Sequence, residues 1–204
     1  MNDELLIKLE ELLENTAKKI NRKQFNNEPN YTAAFFGKLS GEKIEFDEQY
    51  IKFQFSVSND RGRSSAESHT GIDIGMVFKW HDAAGTFEKA VLVQAKNNVL
   101  KLQRDRDLEC QCKKMSDITE HYVVMDCPYD CSIPKVYFSK SNEPPFWDVN
   151  KSVDLFNYLK DYVFKCTQGD ISDKVIQGAK DSTRQLLIET NIPKPTLTKK
   201  EKSS

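Results

Sequence analysis

The sequence predicts an α/β domain, a central mixed β-sheet flanked by helices, with an extra amphipathic helix at the N-terminus. Two observations carry this. Residues 50–57 and 72–80 alternate apolar with polar residues, and 88–96 is an apolar run of the kind an internal strand needs. Around them, residues 2–20 and 29–39 place apolar residues at three- and four-residue spacing, the signature of helices with one buried face.

Each element follows from its residues. Leu5, Leu9, Leu12, Leu13, Ala17 and Ile20 line one side of the 2–20 helix, which is expected to pack on the core. Tyr31, Phe35 and Leu39 do the same for 29–39, and Ile51, Phe53, Phe55 and Val57 alternate along 50–57. Within 72–80, Ile72, Ile74, Met76, Phe78 and Trp80 are expected on one face and Asp73, Gly75, Val77 and Lys79 on the other. Asp82 and Gly85 suit a reversal into the strand 88–96. A helix near 102–117, strands at 121–127 and 134–139, a helix over 152–166 ended by Gly169, and a last helix over 180–190 complete the reading. One domain then spans 1–192: an N-terminal helix and linker (1–27), a core (28–140) and C-terminal helices (150–192). Residues 193–204, PKPTLTKKEKSS, read as a disordered tail.

Chemistry concentrates in the hairpin of 72–96. If Trp80 stands opposite Glu88, Asp73 faces Ala95 with Gln94 and Lys96 diagonal to it. A slip of one residue puts Asp73 directly opposite Gln94 or Lys96. Either way three polar groups meet at one end of two paired strands. A carboxylate with an amide or main-chain carbonyl oxygen can hold Mg²⁺ or Mn²⁺, which prefer oxygen ligands and keep waters. Such an ion polarises a phosphoryl oxygen and acidifies a bound water, and a neighbouring Lys can orient that water or offset developing charge. Short Asp-plus-Gln-x-Lys patterns also arise as strand-end decoration, so the strand–turn–strand context is what gives this one weight.

The pair GIDIG (71–75) and VLVQAKN (91–97) resembles the signature of the PD-(D/E)XK nuclease superfamily, the restriction-endonuclease-like fold. More narrowly it is similar to the Gln-x-Lys branch found in bacterial restriction and anti-phage defence nucleases. The resemblance covers roughly 28–140 and implies a divalent-metal-dependent nuclease acting on double-stranded DNA. It implies Asp73 as central metal ligand, Gln94 in the place of the usual second acid, a carbonyl contribution from Ala95, and Lys96 as the catalytic lysine. Glu67, just upstream of Asp73, and Glu28, at the start of the 29–39 helix, are the two candidates for a further acid. For Glu28, complementing the helix dipole is an equally good reason to be there. Gln94 departs from the Glu or Asp of many members, and a neutral amide binds a hard cation less well. That departure keeps open a catalytically inactive nucleic-acid-binding or assembly module of the same fold. A third reading is an unrelated α/β interaction protein with a polar hairpin end.

Composition bounds the rest. The net charge of −1 carries no global nucleic-acid footprint, so positive charge is local: Lys18, Lys19, Arg22 and Lys23; Arg61 and Arg63; and Lys96 to Lys114. Apolar runs are too short to span a bilayer and no signal-peptide pattern opens the chain, so a cytoplasmic location is the expectation. Five cysteines argue for reduced thiols over a disulfide framework. Cys110 and Cys112, two apart on a helix, diverge and make a poor zinc pair. His69 reads as solvated and Gln111 as an exposed polar residue on the helix after the motif. A homodimer or an activating partner protein is the expected assembly by resemblance, with no membrane involvement.

Overall fold

The computed structural model describes residues 1–58, 69–83, 85–140 and 143–194. Helix α1 (Asp3–Lys18) starts where the Asn2 side chain accepts the Glu4 N–H at 2.9 Å, with acidic residues in its first turn and Lys18 in its last. Its stripe of Leu5, Leu9, Leu13 and Ala17 is buried. Helix α2 (Glu28–Leu39) is capped by Asn27, which accepts from Asn30 N–H, and carries Pro29 in its first turn. A hairpin of β1 (Lys43–Phe46) and β2 (Gln49–Val57) follows. Its two-residue turn places Asp47 and Glu48 at φ 46° and 64°, the left-handed geometry that tight hairpins require.

Strands β3 (Ile74–Asp82) and β4 (Gly85–Lys96) form the second hairpin. A 3₁₀ turn (Val99–Leu102) leads to α3 (Arg106–Ser116), capped by Asp105 through the Leu108 N–H at 2.8 Å. The helix expected over 102–117 is therefore shorter, because the cap fixes its start. Next come β5 (Tyr122–Asp126), β6 (Lys135–Ser139), β7 (Trp147–Asp154), and α4 (Leu155–Tyr158), which continues into a π turn over Leu159–Val163. Helix α5 (Asp173–Lys180) and β8 (Arg184–Thr190) close the described chain.

Two expected helices are corrected. The first part of 152–166 belongs to β7, since Asp154 caps α4 by accepting the Asn157 N–H at 2.7 Å and leaves the residues before it free to pair with β6. Residues 184–190 form a strand, although Gln, Leu and Glu favour a helix. Pairing on both sides, antiparallel to β2 and parallel to β3, overrides that preference.

Among the described residues the sheet has eight strands in the order β1-β2-β8-β3-β4-β5-β6-β7. It is mixed, with β3∥β8 and β4∥β5 parallel and the other pairs antiparallel. β8 thus separates β2 from the hairpin that follows it in sequence. Helices α1, α2 and α4 cover one face, burying Leu9, Phe35, Phe53, Met76, Val91 and Ile188 together. Helices α3 and α5 cover the other, where Leu108, Met115 and Ala179 meet Val77, Leu92 and Val124. No helix among the described residues is long and apolar enough to cross a membrane.

The parallel pairings decide where chemistry can gather. The start of β3, the end of β4, the end of β5 and the start of β8 all lie at one end of the sheet. Two glycines admit the helices there. A Cβ on Gly75 would collide with the Ala179 carbonyl oxygen of α5, and one on Gly71, at φ 73°, with the Gln111 carbonyl oxygen of α3. The two glycines bracket Asp73.

Candidate active site

Register in the hairpin differs by one residue from Trp80 opposite Glu88: Trp80 stands opposite Phe87, because β3 and β4 stay paired as far as Asp82 opposite Gly85. Pairing stops at Ile74 opposite Val93, and the Asp73 N–H also reaches Val93 O, at 3.0 Å. Two residues of one strand therefore address a single residue of the other, and alternation resets. Ile72 packs with the α3/α5 core, Ile74 with the α1/α2 core. The expectation that Ile72 shares the face of Ile74 is corrected by this bend, in which Asp73 sits at the lip of the sheet.

Asp73 is 3% exposed and forms an ion pair with the Arg184 Nη1. Arg184 opens β8 level with Ile74 and alternates with Leu186 and Ile188 of the α1/α2 core. Its Nε is buried and has no hydrogen-bond partner among the described residues. Gln94 and Lys96 alternate with Leu92, on the α3/α5 side of β4. The Gln94 side chain is buried: its Nε2 donates to Ala95 O at 3.3 Å, while its Oε1 has no partner among the described residues. Lys96 is half-buried. Burial pushes the nearby Cys112 thiol up to about 12, against the lowering pull of the Lys96 charge.

Glu28 reaches this end of the sheet from the other layer. Its Oε1 accepts the N–H of Asn97, the residue after Lys96, at 3.1 Å. Arg22 Nη2 donates to Asn97 Oδ1 at 2.6 Å, and its guanidinium lies between the rings of Tyr31 and Tyr129, 4.5 and 4.3 Å from their centroids. The segment joining α1 to α2 is thereby clamped onto the end of β4, and Arg22 is a brace more than a phosphate contact.

Cys127 lies between these groups. Its N–H donates to Lys96 O at 2.8 Å, and its buried thiol is held well above the ordinary value, first by desolvation and then by the Asp73 charge, with Glu28 and Asp126 adding and Arg22 opposing. Asp126 stands opposite Lys96 across the β4–β5 ladder. Burial raises its carboxyl, against the N–H groups of Val99 and Asn98 that favour the ionised form. Beside it a cleft of about 280 Å³ is lined by Asn98, Asp126, Cys127, Tyr129, Ser132 and Lys135 among others.

Of the expected site residues, the fold brings Asp73, Gln94, Ala95, Lys96 and Glu28 to one end of the sheet; Glu67 lies outside the described residues. Arg61 and Arg63 do too. His69 is exposed, and Gln111 is half-buried with an Oε1 that has no partner among the described residues. No group of three or more His, Cys, Asp or Glu among the described residues is arranged to hold a metal ion. A divalent cation here would rest on one carboxylate and neutral oxygens: Asp73, Gln94 Oε1 and the Ala95 carbonyl. The Gln94 oxygen fits that role, being a buried acceptor that meets no donor among the described residues.

Comparison with protein-family models, with curated proteins and with solved structures gives no match.

Arg184, Asp126, Cys127 and Asn97 carry no signal in the sequence. Arg184 falls in a stretch whose composition reads as helix, and the other three join the site only through the β4–β5 ladder and the α1–α2 clamp.

Proposed function

We propose that this chain is a divalent-metal-dependent nuclease of the PD-(D/E)XK, restriction-endonuclease-like kind. It would hydrolyse phosphodiester bonds of double-stranded DNA in bacterial restriction or anti-phage defence, in the cytoplasm, as a homodimer or with an activating partner. The observation that supports it best is the position of Asp73, Gln94 and Lys96 just past the last β3–β4 pair, Ile74 opposite Val93, with the Gln94 oxygen buried and without a donor among the described residues. Asp73, Gln94 and Ala95 would hold Mg²⁺ or Mn²⁺. When bound, such an ion supplies Lewis-acid polarisation of the phosphoryl group and an acidified water.

The chain's own residues do the remaining work. Lys96, half-buried and cationic, orients the attacking water and offsets charge as it develops on the phosphoryl oxygens. Glu28 fixes Asn97 and with it the end of β4, so that Lys96 keeps its place. Incubation with plasmid, linear duplex, single strands and RNA in Mg²⁺ or Mn²⁺ tests the reading, and cleavage that survives both Asp73→Ala and Lys96→Ala removes the site assignment.

One observation favours a second reading, an inactive nucleic-acid-binding module of this fold: Asp73 already has a cationic partner in Arg184. Retained DNA binding with no calorimetric uptake of Mg²⁺ or Mn²⁺ would select it.

A further inference from the structure

We propose that Arg184 is a built-in counter-cation that competes with the divalent metal for Asp73 and turns to the substrate phosphate once the metal has displaced it. The inference rests on the metal-dependent reading of the Asp73 site. It is a role for a residue that the Asp, Gln-x-Lys pattern does not contain.

Placement is the first argument. Arg184 is the first residue of β8, level with Ile74 in the central parallel pair, so the sheet itself delivers a guanidinium to the lip where Asp73 sits. The second argument is burial: the Arg184 and Asp73 side chains are 11% and 4% exposed. A carboxylate so enclosed gains more from a cation than an exposed one does, and a divalent ion must match what the guanidinium already provides.

The third argument is incompleteness. An unused donor alone does not set Arg184 apart, since the brace Arg22 also has a buried Nε without an acceptor among the described residues; its place against Asp73 does. Among the described residues the Arg184 Nε is buried with no acceptor, and the Gln94 Oε1 with no donor. Arg184 thus keeps an unused N–H, and the strand end an unused oxygen. A phosphate oxygen would satisfy the first and a metal ion the second. Bidentate recognition of phosphate suits a guanidinium, which stays charged whatever the pH. Metal and phosphodiester would therefore bind cooperatively, each removing the obstacle to the other.

Calorimetric Mn²⁺ titration of the full chain, with Arg184→Met and Asp73→Asn variants, tests this. Arg184→Met is expected to bind Mn²⁺ about tenfold tighter than wild type, and Asp73→Asn to lose binding. Wild-type binding that depends on Asp73 but is unchanged or weakened in Arg184→Met overturns the role of Arg184 and leaves the metal site standing. No binding in either protein overturns both. Should Arg184→Met fail to fold, the wild type supplies the second measurement, its arginine Nε–H resonances followed during Mg²⁺ titration. The buried Arg184 resonance is expected to shift as Mg²⁺ saturates the protein. Saturation with that resonance unmoved overturns the competition, and failure of Mg²⁺ to bind overturns it together with the metal site.

Discussion

The Glu28 carboxylate accepts the N–H of Asn97 at 3.1 Å, tying the first turn of α2 to the residue that follows Lys96. Arg22 holds the side chain of the same asparagine from the α1–α2 segment. One residue just past the end of β4 thus carries the contact between the helical layer and the end of the sheet.

Substitution separates the bond from the charge at Glu28. Glu28→Gln keeps an acceptor oxygen and is expected to stay within about 0.5 kcal/mol of wild type, whereas Glu28→Ala loses about 1–2 kcal/mol. Urea titration measures both. Equal stability of the two variants would show that the Asn97 contact contributes nothing.

Gly75 is needed for close approach. The atom its Cβ would strike is the backbone oxygen of Ala179, which cannot swing aside as a side chain would, and its N–H is already committed to Ser182 Oγ at 2.9 Å. Gly75→Ala is expected to cost about 3 kcal/mol, lowering the melting midpoint by about 6–12 °C. Gly37 is the control: it lies within α2 with open space where a Cβ would go. Gly37→Ala is expected to stabilise by about 0.5–1 kcal/mol. A Gly75→Ala protein that melts with the wild type would refute the close approach of α5 to β3.

The strand pair around Asp73 is legible because alternation and turn residues are local, whereas the close approach of α5 at Gly75 and of α3 at Gly71 is not. What was not legible came from long-range pairing. Alternation alone put Ile72 and Ile74 on one face, but the double use of Val93 O resets it at Asp73. The turn composition suggested a longer loop, and extension of both strands to Asp82 and Gly85 moved the register by one. Arg184 was hidden because its segment is strand-like only once β2 and β3 close on it. The ion pair of Arg184 with Asp73 joins residues far apart in sequence, and no local pattern encodes it.

Lys89 gives the fold a pH signature. It is 1% exposed, and its Nζ donates to Val163 O and Gln168 O, each at 2.6 Å, closing the π turn after α4. Desolvation lowers it to about 8, against a raising influence from Cys166. An unfolded chain with an ordinary lysine binds more protons than the native one between about 8 and 10.5, so stability rises with pH across that window and the penalty is fully present below it. Relative to Lys89→Met, the wild type is expected to gain about 2–3 kcal/mol between pH 7.5 and pH 10. Parallel pH profiles of the two proteins would show that Lys89 titrates normally.

Activity is best tested at Lys96. Asp73→Asn removes the counter-charge of a buried guanidinium, and breaking such a pair costs about 3–5 kcal/mol, so lost cleavage there mixes chemistry with folding. Lys96 is half-buried and its stem can be replaced by that of methionine at little structural cost. Lys96→Met is expected to fold with a melting midpoint near that of wild type and to lose about 100- to 1000-fold in kcat on duplex DNA in Mg²⁺. Binding of the same duplex in Ca²⁺ should fall far less, since one of several cationic contacts is removed. Equal losses in binding and turnover would make Lys96 a phosphate contact and not a participant in the chemistry.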